Sequence, residues 1–165
     1  MADAAASPAR LRPALALAVA GALSLFPVLL LHEFLVFGAQ AHDLIAPASA
    51  PCPDPPCLTS AMVVSGHVAK AVGAGLVFAI IGAVWTKGPG RWLIAAAFFA
   101  LQYTWSLVGI ASGYRLHFGT GWAWWEPFAV ILWHPVTTPA LLLAGLLACL
   151  GMDQMVRPWR LAGAR

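Results

Sequence analysis

Four apolar stretches, at residues 11–37, 61–85, 92–112 and 128–151, leave this chain few folds to choose from. Their only formal charges are Arg12, Glu33 and Lys70. A bilayer core ~30 Å thick is crossed by about 20 apolar residues, each rising ~1.5 Å along a helix. Every one of the four stretches is long enough. None alternates apolar and polar residues as a membrane barrel strand does, so the pattern predicts helices. The expected fold is all-α: one transmembrane four-helix domain occupying residues 1–165.

Composition closes off the alternatives. The chain is 61% hydrophobic and 9% charged, whereas soluble domains carry about 25% charged residues. Disordered chains are polar and poor in aromatics, which this one is not. The net charge of +3 does not mark a nucleic-acid binder, because the cations are sorted by topology instead of gathered on one surface. Arg10 and Arg12 open the first stretch, Lys87 and Arg91 sit in the TKGPGR turn, and Arg157, Arg160 and Arg165 follow the fourth. Only Arg115 lies in a connection on the other side. The positive-inside rule then predicts a multi-pass protein of the inner (plasma) membrane with both termini and the TKGPGR turn in the cytoplasm. The 40–60 and 113–127 loops face outward, and the lipid bilayer is the first partner.

The first stretch also carries features of a secretory signal, since Ala39-Gln40-Ala41 fits an A-x-A cleavage site. Signal cores run about 7–15 apolar residues, and this one is longer and holds His32 and Glu33, so it reads as a retained span. Cleavage after Ala41 would instead expose His42 as a terminal amine and imidazole, a copper-binding pair.

Cys52 and Cys57 stand in the first outward loop, within a Pro-rich run that excludes a helix. In an oxidising compartment they are expected to form a disulfide staple. Four spans with a cysteine pair in the first outer loop resemble the quinone-linked enzymes that oxidise periplasmic thiols. That likeness ends at the topology, because the spacing here is C-x4-C, where those enzymes have C-x-x-C, and residues 113–127 contain no cysteine.

The histidines point most directly at function. His32, His67 and His134 each fall five or six residues inside the outward end of a different span, roughly 7–9 Å deep at ~1.5 Å per residue. His67 continues a ladder of small residues, Ala71, Gly75, Ala79 and Ala83, that marks a packing face, so it is expected to point inward. Lys70 lies three residues on, on nearly the same face. In the fourth span Thr138, Gly145 and Cys149 share a face with His134, while Pro135 and Pro139 free backbone carbonyls that need partners at membrane depth. Gln102, Ser106, Gly109 and Gly113 line the third span, with Tyr103 and Trp105 nearby. Pro27, a turn below His32, predicts a kink.

These residues define an expected outward pocket. His32, Glu33, His67 and His134 are candidate metal ligands, and Lys70, Gln102 and Arg115 candidate cofactor contacts, with His117 and Glu126 above them. Imidazoles with a carboxylate suit copper, zinc or iron, and two facing imidazoles suit haem b. Lys70 favours an anionic ligand, a quinone or a haem propionate instead. Transport is the weaker reading, because the inner half shows few polar residues beyond Ser24 and Thr86. The expected function is a small membrane subunit or accessory factor of an envelope redox or metal-handling system, acting with partner subunits or as a homo-oligomer. The alternatives are an intramembrane enzyme using the same cluster on a lipophilic substrate, with His67 or His134 as base, and a polar network that only locks the helices together.

Overall fold

The computed structural model describes residues 8–37, 45–46, 58–85, 88–118 and 123–156. Helix α1 (Pro8–His32) passes directly into a π-helical turn, π1 (Glu33–Phe37). Strands β1 (Ile45–Ala46) and β2 (Leu58–Thr59) form a short parallel ladder in which Ile45 faces Leu58. Helices α2 (Ser60–Val84) and α3 (Pro89–Phe118) follow, then π2 (Phe128–Leu132) and α4 (Thr137–Val156). Four segments, Leu11–Val36, Val63–Val84, Pro89–Ser112 and Thr137–Met155, are long and apolar enough to cross a membrane.

Local chemistry explains most boundaries. Gly88 carries a φ of +91° in the α2–α3 turn, a conformation open to glycine at no steric cost. Pro89 starts α3, where its missing N–H is not needed. The fourth stretch corrects the sequence reading, because it is not one helix over 128–151. π2 stops at Leu132, Trp133 is extended (φ −82°, ψ 122°), and α4 begins only at Thr137. Pro135 drives its neighbour His134 out of helical conformation, and Pro139 is tolerated in the first turn of α4, where no donor is required. By contrast α1 stays helical through Pro13 and Pro27.

α1 is the hub: it packs extensively on α2 and on α4, and also touches α3. Lipid offers no hydrophobic drive between helices, so close packing and polar contacts must hold them. The backbones approach where side chains are absent. A Cβ at Gly82 would lie 2.7 Å from the Pro13 carbonyl oxygen and 2.9 Å from Ala14 Cα. One at Gly21 would enter the ring of Phe78, and one at Gly145 would come within 2.7 Å of Phe99. Leu17, Leu25, Leu29, Phe78, Phe99 and Leu107 fill the space between.

The end of the bundle away from Glu33 is less apolar than its sequence implied. Arg91 does not sit in a solvated turn; it lies within α3 and is 1% exposed. Its Nη2 donates to Asp153 of α4 at 2.7 Å and to the Pro13 carbonyl of α1 at 3.4 Å. Its Nη1 donates to the carbonyls of Gly82 (3.3 Å) and Trp85 (3.1 Å). One guanidinium thereby ties all four helices together. Its fixed fork of donors suits that task, which a lysine could not perform.

Two stability predictions follow from this packing. Gly82→Ala should destabilise by about 1–3 kcal/mol, because backbone atoms cannot yield to the new methyl, while Gly73→Ala, facing open space, should be neutral or better. Arg91→Leu should cost about 3–5 kcal/mol by stranding a buried carboxylate, and adding Asp153→Leu should recover much of that loss. Tryptophan-monitored unfolding in mixed micelles reads both; a double variant no better than Arg91→Leu would contradict the clamp.

Candidate functional site

At the other end of the bundle, Glu33 and His67 meet. The buried stripe of α2 runs His67, Ala71, Ala74, Phe78 and Ile81, the 3.6-residue period of a helix facing its neighbours. His67 therefore points inward, as the small-residue ladder predicts. Glu33 opens π1, and π turns of this kind recur at functional sites. The Glu33 carboxylate accepts a hydrogen bond from His67 Nε2–H, and the two side chains are only 2% and 1% exposed. A carboxylate on one ring nitrogen fixes the orientation and tautomer of the imidazole. The other nitrogen, Nδ1, is buried with no hydrogen-bond partner among the described residues.

Lys70 lies one turn further along α2, half-buried. It is close enough to Glu33 to interact electrostatically, and its Nζ donates to the Ser106 carbonyl of α3 at 3.4 Å. Gln102 Nε2 donates to Ser106 Oγ at 3.2 Å. Glu33, His67 and Lys70 thus form one polar group, and Gln102 and Ser106 line the α3 side of it.

His32, the residue before Glu33, turns the other way and has a different task. Its ring is fully buried. Nε2–H donates to the Leu132 carbonyl at 2.7 Å, and since a carbonyl can only accept, the proton of the neutral ring sits on Nε2. Nδ1 is 2.7 Å from Tyr103 Oη, whose O–H donates to it. Leu132 is the last residue of π2, where the fourth span breaks, and His32 supplies a donor to the carbonyl freed there. Freed backbone at membrane depth needs such a partner.

His134 also serves the break. Its Nδ1 accepts the N–H groups of Thr137 (3.1 Å) and Val136 (3.3 Å), and its own N–H donates to Thr138 Oγ1 at 2.9 Å. The side chain caps the start of α4, satisfying donors that a helix N-terminus leaves open. Glu126 closes the turn before π2: its carboxylate accepts Ala123 N–H at 2.6 Å.

The four candidate metal ligands therefore divide. Glu33 and His67 are joined, His32 has both ring nitrogens engaged, and His134 has Nδ1 committed to a cap. Among the described residues no group of three or more His, Cys, Asp or Glu is arranged to hold a metal ion. Arg115 and His117 belong to α3, but their side chains, like residues His42, Cys52 and Cys57 and the expected disulfide, lie outside the described residues. Cys149 is buried with a free thiol. Tyr103 is more central than its sequence position indicated; it falls on the buried α3 stripe Ala95, Phe99, Tyr103 and Leu107, a signal the polar-residue pattern obscured. Trp105, by contrast, is 68% exposed and faces outward from the bundle. No protein family, curated relative or solved structure matches the chain.

The division of labour is testable by stability alone. His32→Phe should destabilise by about 1–3 kcal/mol, because it strands the Leu132 carbonyl and leaves the Tyr103 hydroxyl only the Thr138 carbonyl at 3.4 Å, and His134→Ala should cost about 0.5–2 kcal/mol as a lost cap. Equal stability of His32→Phe and the parent in micelle unfolding would show that the break is held by something else.

Proposed function

We propose that this chain is a small subunit or accessory factor of an envelope redox system, and that its Glu33–His67 pair, with Lys70 beside it, binds the head group of a quinone-like lipophilic cofactor. The observation that carries this reading is His67 Nδ1, a buried ring nitrogen left unbonded while Glu33 holds the opposite nitrogen. A metal or a haem is less well served. Of the three intramembrane imidazoles, His32 has no nitrogen to offer and His134 has one committed, so only His67 retains a buried nitrogen without a partner among the described residues.

A quinone supplies reversible redox chemistry of two electrons and two protons. The pair suits both of its forms. With a proton on Nδ1, His67 donates to a quinone carbonyl. With Nδ1 bare, it accepts from a quinol hydroxyl. In either state Glu33 holds Nε2–H and steadies the charge that the ring gains with a second proton. Electrons would pass to or from a partner subunit. The reading also takes the membrane as the inner membrane, with the Glu33 end outward, on the strength of the cations flanking the spans.

The test is direct. Protein extracted in mild detergent should carry close to one quinone per chain on solvent extraction and chromatography, and His67→Gln should lose it while keeping its helical content and thermal transition. Absence of both co-purified quinone and saturable decylubiquinone binding would overturn the proposal, as would a Soret band or stoichiometric metal.

A further inference from the structure

The buried Nδ1 of His67 needs a route by which a ligand can reach it, and the seam between α2 and α3 has the features of one. α2 makes its main contact with α1 and touches α3 only lightly, although the two helices are consecutive. At the level of the Glu33–His67 pair this seam is lined by Lys70 from α2 and by Gln102, Ser106 and Gly109 from α3. Gly109 is exposed on the bundle surface. A Cβ there would stand 3.9 Å from Lys70 Nζ and 4.0 Å from its Cε, so the ammonium lies directly behind an exposed glycine.

The bond that closes the seam is weak. Lys70 Nζ reaches the Ser106 carbonyl at 3.4 Å, whereas charge-assisted N–H···O bonds favour about 2.7–2.9 Å. A half-buried cation at membrane depth is costly unless it is well paired, and the nearby Glu33 carboxylate is already bonded to His67. Lys70 and His67 are three residues apart, hence neighbours on one helix face.

Resting on the quinone-like reading above, we propose that the α2–α3 seam at Gly109 is the lateral door through which the ligand head enters from the bilayer, and that Lys70 exchanges the Ser106 carbonyl for a ligand oxygen as the head passes to His67. The ligand class is an amphiphile with acceptor oxygens on its head and an apolar tail that stays among the lipid chains. The absence of a side chain at Gly109 keeps the door open. Lys70 becomes a second donor, one helical turn from Nδ1.

The experiment uses the full chain in lipid nanodiscs, with saturable uptake of decylubiquinone followed by tryptophan quenching. Gly109→Leu fills the seam without touching Glu33 or His67, and Lys70→Met removes the second donor. Both should weaken or slow uptake by about tenfold or more. Gly73→Leu, a matched change at an exposed glycine with nothing within 4 Å, should behave as the parent. If Gly109→Leu lowers the thermal transition, Lys70→Met decides the matter. Parent-like uptake by both variants, with His67→Gln still defective, overturns the lateral door and leaves the site standing. No saturable uptake by the parent removes the site and the door together.

Discussion

The pairing of Glu33 with His67 is the contact on which the rest of this account depends. A carboxylate and an imidazole, both buried among apolar helices, are each expensive alone and acceptable together. The pair joins π1 to α2 and fixes the proton of His67 on Nε2. It also leaves Nδ1 buried with no hydrogen-bond partner among the described residues. Here a polar atom is held in place by a second group and then left open, the arrangement expected of a binding nitrogen.

Around this pair the remaining polar residues resolve into supports. The broken fourth span frees backbone groups that neither lipid nor a continuous helix can satisfy. His32 serves the carbonyl of Leu132, Tyr103 steadies His32, and His134 caps α4. At the opposite end Arg91 and Asp153 fasten the four helices where their backbones approach. The bundle is thus pinned at both ends by ionisable residues and packed between them by glycine-against-ring contacts. α3 is the helix most lightly joined to the others, and the α2–α3 seam is one of its edges.

Much of this was legible from the chain itself, and the exceptions share a physical cause. Apolar length alone marked the four spans, and the ladder below His67 placed that ring inward, because helical period converts spacing into direction. The three histidines do gather toward one end of the bundle, but position along a span says nothing of what each ring bonds. His32 and Glu33 are adjacent and so point about 100° apart, one toward α3 and π2, the other toward α2. The prolines at 135 and 139 do announce a disturbed backbone in the last span, but no spacing rule reveals that they split it outright and recruit His134 as a cap. Arg91 was hidden by its position beside a turn, where arginines are ordinarily solvated, and Asp153 by Arg157, four residues on, which is the nearer cation in sequence. Tyr103 was obscured because its hydroxyl sits on a stripe that otherwise reads as core.

The central claim concerns two nitrogens of one ring, and nitrogen NMR sees both. In protein labelled with 15N-histidine and reconstituted in lipid, His67 should show a protonated, hydrogen-bonded Nε2 that changes on Glu33→Gln, and an Nδ1 signal that moves when decylubiquinone is added. An Nδ1 signal unmoved by the quinone, or a His67 spectrum indifferent to Glu33→Gln, would contradict the account.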